Sequence, residues 1–382
     1  MRRRLVILTE IIAPYRIPVF NVLATRSEID LHVIFLSRTD RSTRAWRIYE
    51  DEIRFSYQVL PSWRRRIGKY NLLLNASVTS ALQQAKPEVL VCGGYNYPAA
   101  WQAMNWAKRN RVEFLLWSES TAQDHRGEHF VVEWLKAKFF QNCDGFVVPG
   151  QSALHYVKQF ASPEQNIFVA RNAVDVELFA EAGKKIRETP DRVRGKLALP
   201  TRYFLFVGRL VRSKGVVDLI EAYRRLPIDL RSQISLVLAG DGRMRPELEA
   251  LAREIYPGSV HFAGFVQRDE LANYYALAEC LVMPTHTDPW GLVINEAMAS
   301  GLPVICTNVA GCAADLVREN GIQVAPGDVR QLSEAMEAIA TDPELRRYMS
   351  HESARVIQSY SPEACAAGIA EAANSAQVPL HA

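Results

Sequence analysis

The segment THTDPWGLVINEAMASGLPVI, residues 285 to 305, sets two carboxylates, Asp288 and Glu296, eight positions apart and closes on a strand-like apolar run. Pro289 disfavours helix at Asp288, whereas Gly291 to Ala299 combines a loop glycine with good helix formers. The spacing predicts a helix opening near Gly291, with the N–H groups of Gly291, Leu292 and Val293 unpaired and aimed at an anion. Glu296 then sits one turn in, where a carboxylate accepts hydrogen bonds from sugar hydroxyls, as in dinucleotide folds. The bland alternative is that Asp288 caps the helix and Glu296 is a surface charge.

Working outward, the same grammar recurs. Short apolar or β-branched runs alternate with amphipathic stretches. RLVILTE, DLHVIFL, VLVCGG, EFLLWSE, GFVVPG and NIFVARN read as strands of the first half. PVFNVLATRS, AAWQAMNWAKRN, FVVEWLKAKFFQ and SALHYVKQF read as the helices between them. The alternation restarts with YFLFVG, ISLVLAG, VHFAG, CLVMP, PVICT and GIQVAPG. This is an α/β chain of two successive doubly wound parallel sheets, as 382 residues exceed what one core of roughly 250 to 300 residues encloses. A polar stretch, residues 181 to 200, reads as a linker able to hinge.

Ligands of open parallel sheets bind beyond the carboxyl ends of the strands. After YFLFV comes GRLVRSKG, in which Gly208 admits a close ligand and Arg209 and Lys214 supply two cations suited to a diphosphate. Solvated Arg and Lys before a helix would look the same. After ISLVL comes Ala239-Gly240-Asp241-Gly242, a tight turn at the same edge.

Composition bounds the class. No apolar run approaches the roughly 20 residues of a membrane helix. The six cysteines show no zinc spacing and sit in apolar segments, as reduced buried thiols do, which points to the cytoplasm. Residues 1 to 190 hold 26 Lys and Arg against 19 Asp and Glu, a net +7, and the remainder is −4. An anionic partner of the first half is expected. PSWRRRIGKYNLLL, residues 61 to 74, mixes Trp63, Tyr70 and leucines with Arg64, Arg65, Arg66 and Lys69, as a segment lying on an anionic membrane would. A solvated helix start with its leucines turned to the core is the alternative.

GRLVRSKG, AGDG, HFAGFV and DPWGLVINEAMASGLPVI, in this order and spacing, resemble the second domain of family 4 retaining glycosyltransferases of the GT-B architecture. VVPGQSALHYVKQF and NIFVARNAVDVELF resemble the end of that family's first domain, and TEIIAPYRIPVFNVLA resembles one branch of it. The resemblance implies two Rossmann-like domains facing a cleft. Residues 1 to 182 would be the acceptor domain and 195 to 359 the nucleotide-sugar domain, with a closing helix over 360 to 382 returning to the first. It implies a UDP- or GDP-sugar donor, no cofactor and no metal. The acceptor would be a glycan or a lipid-linked molecule of cell-surface polysaccharide synthesis, met in the cytoplasm at the inner face of the membrane.

By the same resemblance, Arg209 and Lys214 bind the leaving diphosphate and Asp288 stands at the position facing the transferred sugar. Gly208, Gly240, Trp290, Gly291, Leu292 and Val293 line the donor, and Glu296 binds the ribose. Asp288 replaces the family's first glutamate and is one methylene shorter, so its contact could be shared with His286. The glycine pair after the first strand is absent, with Glu10 to Arg16 in its place. Where relatives carry a histidine after the fourth strand this chain has Trp117-Ser118-Glu119-Ser120, so Arg16, Glu119 and His125 are the acceptor-side candidates. An epimerase or phosphorylase of the same fold, or a non-catalytic nucleotide-binding relative, are the alternatives. A nicotinamide oxidoreductase lacks its G-x-G-x-x-G.

Overall fold

The computed structural model describes residues 2–40, 46–67, 70–123, 130–255 and 258–375. The chain divides into two compact units, one made of residues 1–173 with 362–382, the other of 174–361.

The first unit is built on β1 (Arg3–Thr9), β2 (Ile29–Phe35), β3 (Ser56–Val59), β4 (Trp63–Ile67), β5 (Tyr70–Leu74), β6 (Val89–Gly93), β7 (Glu113–Trp117), β8 (Gly145–Val148) and β9 (Asn166–Val169). Seven of these form one parallel sheet in the order β3-β2-β1-β6-β7-β8-β9, and β4 and β5 pair separately as an antiparallel hairpin. The order runs outward from β1 in both directions, so its topological switch point lies between β1 and β6. Leu5 and Ile7 face one core layer, and Val6 and Leu8 the other. Burial on both faces explains why these strands read as continuous apolar runs. The helix Pro362–Ser375 packs on the helix Ile17–Thr25 and on β9, bringing Cys365, Ile369 and Ala373 into one layer.

The second unit contains β10 (Tyr203–Val207), β11 (Ser235–Ala239), β12 (Val260–Gly264), β13 (Cys280–Met283), β14 (Val304–Thr307) and β15 (Gly321–Val324). Its parallel sheet has the order β12-β11-β10-β13-β14-β15, with the switch point between β10 and β13. That order is the doubly wound Rossmann arrangement. Tyr203 and Leu205 enter one core layer, and Phe204 and Phe206 the other.

Two expectations change. Residues 181 to 200 are not a linker: 181–188 and 190–197 lie in the helices Val176–Glu188 and Pro190–Leu197, and the unit boundary falls at 173/174. Asp175 caps the first of these by accepting from the Leu178 N–H at 3.0 Å, and Val176 and Phe179 bury its inner face. The polar residues that suggested a linker are the solvent faces of helices. Residues 61 to 74 are likewise neither a helix start nor a uniformly exposed basic segment. They form the β4–β5 hairpin, in which Arg64 is drawn in to Glu10 and Asp40 at 2.9 Å each and Leu73 is fully buried. Trp63 and Arg65 remain exposed.

All six cysteines are buried and unbridged. Among the described residues, no helix is long and apolar enough to cross a membrane.

Candidate active site

The loops that follow β10, β11 and β13 meet at the carboxyl edge of the second sheet, beside its switch point. Their backbones touch directly. The Gly208 N–H donates to the Ala239 carbonyl at 3.1 Å and Leu210 N–H to Asp241 at 2.9 Å. A Cβ on Gly240 would lie 1.8 Å from the Gly208 carbonyl oxygen, and one on Gly215 1.9 Å from that of Pro284. Gly215 also has φ of 65°, a left-handed conformation that glycine adopts without a Cβ penalty. These two glycines are required by the close approach of neighbouring loops.

The Ser213 carbonyl gathers the β13 loop, accepting from Thr285 Oγ1 and His286 N–H, both at 2.9 Å. The His286 ring reaches back, its Nε2 lying 2.7 Å from Asp218 Oδ2. Lys214 is thereby set against Asp288, to which its ammonium donates in a mostly buried ion pair. Asp288 does not cap the following helix. Its other oxygen accepts from the Trp290 N–H at 3.3 Å, and its carbonyl accepts from Gly311 N–H at 2.9 Å. Arg209 is exposed on the same loop; its carbonyl accepts from the Val211 N–H at 2.9 Å, and among the described residues its guanidinium has no hydrogen-bond or ion-pair partner.

The helix Leu292–Ala299 starts from Gly291, whose φ is 98°. Among the described residues, the N–H groups of Gly291, Leu292 and Val293 have no intramolecular acceptor, so the helix start presents donors and its positive dipole end. The Trp290 indole is buried, donates to Asn295 Oδ1 at 2.9 Å and packs near Tyr360. The side chain anchors the loop from beneath, leaving only its backbone for a ligand.

Glu296 is not a surface charge. Tyr275, on the helix Arg268–Leu277, donates its hydroxyl to Glu296 Oε2 at 2.7 Å. Desolvation pushes the Glu296 pKa up to about 7, with the Tyr275 hydroxyl and the Arg268 charge pulling it back. A ligand hydroxyl that donates to this carboxylate would favour its ionised form. Tyr275 and Arg268 were not foreseen, because Tyr275 reads as another apolar position of an amphipathic helix and only the fold turns its hydroxyl toward Glu296. The Asp218–His286 contact joins residues 68 apart and leaves no signal in spacing.

In the first unit, Arg16 and Glu119 are brought together. Arg16 donates to Glu119, and its guanidinium lies 3.9 Å from the centre of the Trp117 ring. Burial, the largest influence, works against the Arg16 charge, yet Glu119 and Tyr15 more than offset it and hold its pKa above the ordinary arginine value. Asn172 also donates to Glu119, at 3.3 Å. His125 lies outside the described residues. Where the family has its glycine pair, Glu10 binds Arg64.

Two doubly wound parallel sheets in one chain, of seven and six strands, are the architecture of the GT-B class of α/β proteins. Residues 188–356 match the family model described as glycosyl transferases group 1. That match lies within the second unit and spans most of it. It is 36% identical over 230 residues to an uncharacterized glycosyltransferase of Methanocaldococcus jannaschii, covering 58% of this chain and 57% of that one. This chain thus spans little more than half the length of that relative. It is 27% identical over 351 residues, 90% of each chain, to the lipopolysaccharide core biosynthesis glycosyltransferase LpsE of Rhizobium meliloti. The crystal structure of Anabaena HepE in complex with UDP and glucose superposes with a TM-score of 0.75 at 18% identity, over 98% of this chain and 100% of that one.

Proposed function

We propose that the protein transfers a sugar from a nucleotide-diphosphate donor, UDP- or GDP-linked, to a glycan or lipid-linked acceptor, with retention at the anomeric carbon. The observation that carries this reading is the array at the β10/β13 edge: exposed Arg209, Lys214 held on Asp288, and the open N–H groups of residues 291 to 293. Such an array suits a leaving group whose negative charge grows.

The bond from the sugar's anomeric carbon to the diphosphate oxygen breaks, and the electron pair leaves with the diphosphate. Arg209, Lys214 and the helix-start amides stabilise that charge. The acceptor hydroxyl attacks from the face of departure and gives its proton to the departing phosphate oxygen, so no protein general base is assigned. Asp288 orients Lys214 and accepts from a donor-sugar hydroxyl. Glu296, ionised, accepts from the ribose hydroxyls, and Tyr275 fixes its rotamer.

The acceptor is assigned to the first unit, where Arg16 and Glu119 lie together. The likeness to LpsE, named for lipopolysaccharide core biosynthesis, supports a polysaccharide or lipid-linked pathway, and six unbridged buried thiols support a cytoplasmic setting. For residues 61 to 74, Arg64 is engaged with Glu10 and Asp40, and among the side chains described there Trp63 and Arg65 are exposed, while Lys69 lies outside the described residues.

The test is thermal unfolding with UDP, GDP and their sugar conjugates. A ligand at 100 times its dissociation constant adds about 2.7 kcal/mol to stability. A shift with one nucleotide family that disappears in Glu296→Ala supports the donor site and names the base. No shift with any of them turns the reading toward a relative without donor binding.

A further inference from the structure

The helix Phe130–Gln141 of the first unit is apolar on both sides. Its inner face is accounted for: Phe139 and Phe140 are fully buried and pack on Trp101 and Tyr95, with ring centres 4.9 and 5.3 Å apart. Lys136 closes that side, paired with Glu133 and placed over Tyr156. The outer face should then be polar, as on an ordinary surface helix. Instead Phe130 is 82% exposed, Val132 and Trp134 52% each, and Leu135 41%. Phe130, Trp134 and Lys138 recur at four-residue intervals, one line along the helix, with Leu135 beside it.

We infer that this outer face is a docking surface for an anionic lipid bilayer, with Phe130, Trp134 and Leu135 entering the interface and Lys138 at the headgroups. The charge around the patch decides the occupant. Lys138 lies 5.1 Å from the centre of the Trp134 ring, so a cation sits directly on the aromatic anchor. Asn142, just past the helix, donates to the Lys138 carbonyl at 2.6 Å and accepts from Lys108. That contact brings the exposed end of the helix Pro98–Arg109, with Lys108, Arg109 and nearby Arg111, to the same margin. The one acidic side chain within the helix, Glu133, is spent on Lys136. The whole unit holds 23 Lys and Arg against 17 Asp and Glu. Aromatic and aliphatic groups rimmed by cations are what an interfacial helix needs. In a two-fold contact with a second copy the same cations would face one another, which disfavours self-association. The inference is independent of the transfer chemistry.

The full chain is sedimented with vesicles of phosphatidylcholine alone and of phosphatidylcholine with about one-third phosphatidylglycerol. Binding to the anionic vesicles only, falling as salt is raised, is expected. The triple variant Phe130→Ser, Trp134→Ser, Leu135→Ser should bind at least about tenfold more weakly. Lys138→Ala should lose about fivefold, while Arg192→Ser, at an exposed cation of the second unit, changes little. The substituted side chains are exposed, and an unchanged melting temperature confirms that each variant folds. Undiminished binding by the folded triple variant overturns the inference, as does failure of the unaltered protein to bind anionic vesicles. A dimer in solution that the triple variant abolishes, without vesicle binding, overturns it in favour of a second copy.

Discussion

The Tyr275 hydroxyl donates to Glu296 Oε2 at 2.7 Å and ties the helix Arg268–Leu277 to the helix Leu292–Ala299. Because desolvation lifts Glu296 from 4.5 to about 7, the folded protein binds this proton more tightly than the unfolded chain. Its contribution to stability is therefore complete below pH 4.5 and is lost as pH rises through 7. Urea unfolding across this range should show the wild type losing up to about 3 kcal/mol relative to Glu296→Gln. The paired comparison is needed since Glu113, raised to about 7 by burial and by Asp144, titrates in the same window.

The two cations at the β10 loop should separate in their effects. Replacing either Arg209 or Lys214 with Ala is expected to lower turnover about a hundredfold, the scale of losing one preorganised donor. Lys214→Ala also strands the mostly buried Asp288 and should cost about 1 to 3 kcal/mol of stability. Arg209 is exposed, and its replacement should stay within about 0.5 kcal/mol. Steady-state rates and melts of the two variants check both halves.

Glycine 215 carries a purely geometric prediction. Ala there would need φ near 65° and a Cβ 1.9 Å from the Pro284 carbonyl oxygen. Gly215→Ala should cost at least about 2 kcal/mol and loosen Lys214 from Asp288. Gly195, in the helix Pro190–Leu197, has nothing within 4 Å of its missing Cβ. Gly195→Ala should gain up to about 1 kcal/mol, as denaturant titration would show.

Arg16 is nearly enclosed and is held by Glu119, which is about one-third exposed. Glu119→Gln keeps the shape but removes the counter-charge, and should destabilise by about 1 to 3 kcal/mol, less than a fully buried pair would. If the acceptor docks here, KM for acceptor should rise in Glu119→Gln while the affinity for the donor nucleotide is unchanged. Equal effects on both would remove the pair from acceptor binding.

The central strands of both sheets were readable because they are buried on two faces and appear as unbroken apolar runs, as YFLFV and VLVCG do, whereas the exposed edge strand β3, SYQV, carries no such run and was not read. The β10 loop cations and the helix start at Gly291 were readable for a related reason: a loop at a strand's carboxyl end must come next in sequence. The burial of the Trp290 ring was not legible, because an aromatic before a helix looks the same whether its ring faces outward or the core. The hairpin at 63 to 74 escaped notice because a run of arginines has no visible alternation when one of them, Arg64, folds inward onto acids 54 and 24 residues earlier. Pairings such as Tyr275 with Glu296 depend on the rotation of one helix against another, which local pattern does not encode.

The core of the first unit is finished by Cys365, Ala366, Ile369, Ala370 and Ala373, whereas the chain leaves that unit at residue 173. Gly368 lies so close to β9 that a Cβ would come within 2.4 Å of the Val169 carbonyl oxygen, so no larger residue can stand in. On the ribosome, the seven-stranded sheet must therefore wait, one apolar layer uncovered, while the whole second unit is translated. At about 5 to 20 residues per second that interval is on the order of 10 to 40 s. The second unit can therefore complete its own core first, although it is synthesised later.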